Sequence, residues 1–235
     1  LDFLDEFALG ECEILGIYRD ETLVGMLPGR KTKLGPLRLF GSPMPGWCTS
    51  YLGPVWREPV AAGEFQPAFV EFMRRERYHH VEILAHDYPM EASHGWTAES
   101  SHTIVAGLYS EPEAMLKSFG KSCRKDIHRA ERAGVRVAFT DEERFIDIYY
   151  GQLEEVFNKQ RRHPTYPIGR VRALWKHLKP THRLLTSWAM IDDRVIATRI
   201  DMIGNGMLHS FGSASRQDSL RFYPNEILRF HVMSW

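Results

Sequence analysis

The sequence predicts an α/β protein built from two related units in tandem, each a mixed sheet flanked by helices. Three observations carry this. A strand, polar turn, strand pattern occurs twice, at 13–27 and at 184–203; each copy is followed downstream by an amphipathic helix; and a basic helix at 121–133 stops at a glycine and runs into a strand. Period-two alternation marks the strands and a period near 3.6 marks the helices. The expected organisation is a first unit over 1–110, connecting basic helices over 111–134, and a second unit over 135–235 that is truncated at its C-terminus.

Glu13 to Tyr18 and Thr22 to Leu27 alternate as half-buried strands around the turn Arg19-Asp20-Glu21. Gly41 to Pro59 carries too many Pro and Gly residues for regular structure. Its Trp47, Tyr51 and Trp56 must pack on something, either stapling the loop to the core or forming one wall of a substrate cleft. Glu64 to Tyr78 has helical apolar spacing, His80 to Ala85 and Thr103 to Leu108 are expected strands, and Glu111 to Phe119 is a short helix.

In the next helix Lys121, Arg124, Lys125, His128, Arg129 and Arg132 fall within about 140° of arc, opposite Cys123, Ile127 and Ala130. That gives one basic face and one core face, and makes the basic face a candidate anion site. Gly134 suits a left-handed helix end, and Val135 to Phe139 follows as a strand. Helices are expected from Glu142 to about Lys159 and from Val171 to Leu178, with the basic run Lys159 to Pro167 between them. The second hairpin joins Leu184 to Met190 with Val195 to Ile203 through Ile191-Asp192-Asp193-Arg194, and the small residues Gly25 and Ala197 sit at matching offsets in the two hairpins. Gly204-Asn205-Gly206 turns the chain into a further strand through Met207, and Pro224 to Trp235 closes as a helix.

Composition narrows the function. Of 235 residues 43% are hydrophobic, and 30 basic side chains balance 30 acidic ones, so the chain buries a substantial core and carries no net charge. A coat for nucleic acid would be basic throughout, whereas here basic residues concentrate at 121–136 and 159–183. No run approaches the roughly eighteen apolar residues of a membrane span, and L-D-F-L-D-E-F lacks the features of a signal peptide. Cys12, Cys48 and Cys123 are too scattered for a disulfide framework, so the expected address is cytoplasmic. The start at Leu1 and the close on Trp235 within a helix suggest that both ends were cut from a longer protein.

The run S-F-G-K-S-C-R-K-D-I-H-R-A-E-R-A-G-V-R-V resembles the central signature of the FemAB-like branch of the GNAT acyltransferase superfamily, in which an arginine-bearing helix precedes A-x-x-x-G-V-x-V. Gln152 to Pro164, the turn at 191–194, H-S-F-G-S-A-S-R and Y-P-N-E-I-L-R-F are similar too, so the likeness spreads over most of the chain. It implies two GNAT-like domains and transfer of an acyl or aminoacyl group to an amine. The donor would be acyl-CoA or aminoacyl-tRNA, and the acceptor an amine-bearing cell-envelope or exopolysaccharide precursor. No permanently bound cofactor is implied. Acyl-CoA is the expected co-substrate, since tRNA-using members often carry a longer helical arm than 111–133 provides. Peripheral association with a membrane assembly is a further expectation. The CoA-pyrophosphate signature Q/R-x-x-G-x-G/A is absent. The alternatives are a noncatalytic accessory protein of polysaccharide assembly and an RNA-binding module.

Direct amide formation needs a held amine, a route for its proton and donors for the developing oxyanion. Alternation places Val195, Ala197, Arg199 and Asp201 on one face of their strand, directed either to solvent or to a cleft. On the next strand His209 shares a face with Ser213 and could neighbour Arg199 or Asp201, so His209 is the candidate base by side-chain type. Ser213, Ser215, Tyr223 and Asn225 surround the start of the last helix. There Asn225 or a serine could cap it, and Tyr223 could protonate a leaving group. The resemblance adds Arg162 and Tyr166 as groups for an anionic substrate beside Arg124 and Arg129. The candidate catalytic residues are therefore His209, Asp201 and Tyr223, and the substrate-binding ones are Arg124, Arg129, Arg162, Tyr166, Arg199, Ser213, Ser215 and Asn225. Cys123 faces the core and is a poor nucleophile. Gly120-Lys121-Ser122 lacks the first glycine of a P-loop, and His79, His80, His86, His94 and His102 lack zinc spacing, so neither an NTPase nor a metal site is expected.

Overall fold

The computed structural model describes residues 2–7, 10–44, 51–86, 88, 90–93 and 95–235. Trp47, Cys48 and His94 lie outside the described residues. The chain divides into two compact units, Leu1–Thr103 and Ile104–Trp235.

The first unit contains α1 (Asp2–Phe7), β1 (Glu11–Arg19), β2 (Thr22–Leu34), β3 (Leu37–Ser42), β4 (Val55–Trp56), α2 (Ala62–Arg75) and β5 (His80–Ile83). The order β1-β2-β3-β5 makes a mixed sheet, with β5 parallel to β3 and the short β4 pairing with β2. Val24, Leu27, Phe40, Phe65 and Phe69 form its buried core, with Trp56, Tyr88 and Trp96 packed against it. Trp56 lies edge-on to Phe65 at 5.4 Å, so this aromatic does staple the loop to the core. A Cβ on Gly25 would stand 2.4 Å from the Trp56 ring, which explains the small residue in that hairpin.

The second unit contains α3 (Pro112–Ser118), α4 (Lys121–Arg132), β6 (Arg136–Phe139), α5 (Phe145–Lys159), α6 (Ile168–Leu178), β7 (Leu184–Ile191), β8 (Arg194–Gly204), β9 (Met207–Ser215) and α7 (Pro224–Met233). Its antiparallel sheet has the order β6-β7-β8-β9. Ile127 and Ala130 of α4 are buried with Ile227 and Leu228 of α7 against Ala189 and Ala197 of the sheet. The adjacent Trp188 faces the other way, 6.3 Å from Phe145 of α5, so α4 and α7 lie on one face and α5 on the opposite one. Gly134 has φ +80°, as the helix stop requires, and Asn205 and Gly206 take φ +52° and +71° at the β8–β9 turn.

The expected strand Thr103 to Leu108 does not form. Those residues have no regular structure and are exposed, with Ile104 95% accessible. Their apolar, β-branched composition favours a strand only where a partner edge is present, and none pairs with them among the described residues.

Candidate functional site

Two clusters in the second unit collect the chemistry. The first lies where α4 meets the start of α7. Tyr223 adopts φ +52° between a 3₁₀ turn, Gln217–Phe222, and Pro224 at the first helical position. No side chain caps α7, which corrects the expectation of an Asn225 or serine cap. Pro224 accounts for part of this, because it removes one of the N–H groups a cap would satisfy. Asn225 instead donates from Nδ2 to Ser215 Oγ at 3.3 Å, and Ser215 is buried on β9.

Arg129 of α4 donates from Nη1 to Tyr223 Oη at 3.1 Å and pairs with Asp126 at 3.0 Å, its guanidinium 5.4 Å from the Tyr223 ring centre. Two sequence candidates thus meet across 94 residues. Beside them Ser122, Cys123, Asp126, Asn225, Glu226 and Arg229 line a cavity of about 300 Å³. Burial, and then the Glu226 charge, push the Cys123 thiol up, so the thiolate a nucleophile needs is disfavoured.

Much of the expected basic face is occupied by the protein itself. Arg124 donates to the Lys117 and Phe119 carbonyls at 3.1 and 2.7 Å, closing the end of α3, and His128 meets Glu131 at 2.9 Å. Lys121, Lys125 and Arg132 point outward. Helix ends leave carbonyls without intrahelical partners, and an arginine four residues into the next helix is within reach of them.

The second cluster is built around a β-bulge in the β8–β9 pairing. Ile200 pairs with Gly212 and Asp201 with Ser210, so Phe211 is the extra residue. The bulge overturns the expected partnership of His209. This half-buried histidine stands across from Met202, while Arg199 stands across from the exposed Ser213. Arg199 and Asp201 face neither solvent nor open space, being 8% and 0% exposed. They form a buried pair, with Nε to Oδ2 at 2.8 Å and Nη2 to Oδ1 at 2.7 Å. Burial raises the Asp201 pKa above the carboxylate range, against the lowering effect of Arg199 and then of Arg229.

On the α5 side of the bulge stands a group that the sequence reading only half found. Tyr166 Oη lies 2.6 Å from Oη of the buried Tyr149 on α5. The Tyr166 ring packs 5.4 Å from Phe211, and the guanidinium of buried Arg170 on α6 lies 5.6 Å from the Tyr166 ring and 5.4 Å from the Phe211 ring. Burial, and then Tyr166, raise the Tyr149 pKa, so Tyr149 stays protonated. Gly212 is required here: a Cβ would stand 2.4 Å from Tyr149 Oη and 3.3 Å from Tyr166 Oη. Arg162 is exposed on the loop before Tyr166. Tyr149 could have been suspected from its place on the apolar stripe of α5, one turn before Gln152. That glutamine is also buried, accepting from Thr198 Oγ1 at 2.7 Å and donating to the Val195 carbonyl at 3.3 Å.

Among the described residues no group of three or more His, Cys, Asp or Glu is arranged to hold a metal, and no helix is long and apolar enough to cross a membrane.

Residues 117–235, which contain both clusters, match the family described as acetyltransferase (GNAT) domain. Two solved structures share the fold. One, described as the crystal structure of FemX, aligns with a TM-score of 0.71 at 10% identity over 99% of this chain and 77% of its own. The other, a conserved protein of unknown function from Bacteroides thetaiotaomicron VPI-5482, aligns with a TM-score of 0.53 at 12% identity over 99% and 74%. No curated protein matches the sequence. The two α/β units are thus tandem GNAT-like units.

Proposed function

This chain belongs to the acetyltransferase (GNAT) domain family, in its FemAB-like branch, and from that membership we propose that it moves an acyl or aminoacyl group onto an amine of a cell-envelope or polysaccharide precursor. Membership makes it a transferase enzyme. The observation that carries the finer reading is that the matched segment, 117–235, is the unit that assembles the buried Arg199–Asp201 pair, the phenol pair and the Arg129–Tyr223 contact. Amide formation by direct attack uses groups of these kinds: donors for a developing oxyanion, a proton source for the leaving group and a cation for an anionic substrate.

Acyl-CoA is the proposed donor. The helices at 112–132 are short for an arm that grips tRNA, and Arg124, His128 and Arg129 are engaged within the protein, which leaves few cations for a nucleic-acid backbone. Exopolysaccharide or peptidoglycan synthesis and a cytoplasmic location belong to the same proposal, through the FemAB-like resemblance. Peripheral contact with a membrane assembly would follow from a lipid-linked acceptor.

The test is thermal stability of the protein against acetyl-CoA, longer acyl-CoAs, free CoA and a charged-tRNA mixture. A ligand present at a hundred times its Kd stabilises the folded state by about 2.7 kcal/mol. The expected result is a shift with one or more acyl-CoAs. A shift with charged tRNA alone would replace the donor, and no shift with any of them would favour the accessory glycan-binding role.

A further inference from the structure

We infer that Tyr166 is the proton donor of the second unit, with Tyr149 and Arg170 as positioning residues that hold its hydroxyl for that task. The inference rests on the transferase reading and names the group that serves its leaving atom. Tyr149 is buried on α5, and its phenol must place its hydrogen on an acceptor; Tyr166 Oη, at 2.6 Å, is in position to accept it. With Tyr149 as donor, Tyr166 keeps its own hydrogen for an acceptor outside the pair. Tyr166 is only half-buried, at the end of the exposed loop 160–165, so it is the member of the pair that a ligand can approach.

The surroundings favour loss of that proton from Tyr166 and not from Tyr149. The Arg170 guanidinium on α6 lies 5.6 Å from the Tyr166 ring. From β8 the Asp201 charge acts on Tyr149 and opposes its ionisation. Tyr150 of α5 binds the Tyr166 carbonyl at 3.1 Å and not its hydroxyl. From β9, Phe211 and Gly212 are uncharged, and the missing Cβ of Gly212 is what lets the two hydroxyls meet beside the bulge.

The step balances. The amine nitrogen forms a bond to the acyl carbon as the carbon–sulfur bond of a thioester breaks. The thiolate takes the Tyr166 proton, and the proton lost by the amine returns through water to the phenolate. An ester of a ribose hydroxyl would need the same proton at oxygen.

Tyr166→Phe and Tyr149→Phe each remove one hydroxyl and keep the ring that packs on its neighbours, so melting temperature first checks that each variant folds. Phenol ionisation is then followed by ultraviolet difference titration, which needs no donor. Among nine tyrosines, one is expected to titrate below the ordinary tyrosine pKa of about 10. It should disappear in Tyr166→Phe and move upward in Tyr149→Phe. In acetyl-CoA turnover, Tyr166→Phe should lower kcat by roughly 100-fold with little change in KM, and Tyr149→Phe should move the alkaline limb of the kcat profile upward. A Tyr149→Phe titration superimposable on the wild type, or full kcat in Tyr166→Phe, would overturn the inference. If the titration behaves as expected while the wild type turns over no acyl donor, the phenol assignment stands and the transferase reading fails.

Discussion

Replacing Asp201 by Ala tests whether the second unit is organised around a buried ion pair. Asp201 is fully buried and receives both Nε and Nη2 of Arg199, at 2.8 and 2.7 Å. Removing the carboxylate leaves a guanidinium 8% exposed with its main counter-charge gone. Breaking such a pair from one side costs about 3–5 kcal/mol. At about 2–4 °C per kcal/mol for a chain of this size, the melting temperature should fall by roughly 6–20 °C. Urea denaturation with an unchanged m-value would assign the loss to stability itself. The double variant Arg199→Met with Asp201→Leu should recover most of it, because well-packed apolar residues commonly equal a buried pair. The pH dependence has a definite sign. Since burial raises the folded pKa of Asp201, the unfolded chain releases this proton first as pH rises, so the group's contribution is fully present below the ordinary carboxylate range and is lost as pH rises through the folded pKa. Asp201→Asn should remove that component. A loss below about 1 kcal/mol in Asp201→Ala, the value of a solvated pair, would refute the reasoning.

Gly212→Ala should destabilise by about 1–3 kcal/mol through overpacking against Tyr149. Adding Tyr149→Phe should relieve it, since the ring carbon Cζ is at an ordinary 3.6 Å from the added Cβ, and chemical denaturation of the single and double variants would show whether the two changes couple. Arg129→Ala gives up a part-exposed pair with Asp126 and a contact with Tyr223, so calorimetry should find a stability loss of only about 0.5–1 kcal/mol, with any larger effect confined to ligand affinity. Burial holds the His231 imidazole below the ordinary histidine range, so its contribution to stability is intact above that range and lost as pH falls toward the folded pKa. Comparing urea midpoints from neutral to mildly acidic pH should show a smaller acid loss in His231→Gln. If tRNA binds through Lys121, Lys125 and Arg132, its affinity should fall with salt at a log–log slope no steeper than about −3, as filter binding would report.

Elements set by local chemistry were legible in the sequence. The alternation of β1 and β2, the helix stop at Gly134 and the Asn205-Gly206 turn depend on neighbours a few residues away, and each stands where its residues demand. Thr103 to Leu108 failed because a strand needs an edge to join, and composition does not supply one. The basic face of α4 was legible as geometry, with Ile127 and Ala130 buried opposite it, but its occupancy was not. Which guanidinium is engaged depends on the carbonyls that end α3 and on Tyr223, 94 residues further along. Arg199 and Asp201 were correctly placed on one face, yet alternation alone could not show that the face was covered.

The site differs most from the sequence reading because of a single extra residue. Unbroken alternation along β9 brings His209 toward Asp201 and makes an imidazole the natural proton carrier. With Phe211 bulged, Ser210 stands across from Asp201 and His209 across from Met202, while Gly212 pairs with Ile200 beneath the Tyr149 hydroxyl. A one-residue slip in a ladder exchanges the faces of every side chain beyond it, so it also exchanges the chemistry presented there. Here it displaces an imidazole from the buried carboxylate and leaves a glycine where two phenols approach each other. Gly212 also sits within H-S-F-G-S, where it counted only as part of an incomplete phosphate signature. Its physical role is to admit the Tyr149–Tyr166 contact, and that reassignment moves the expected proton chemistry from histidine to tyrosine.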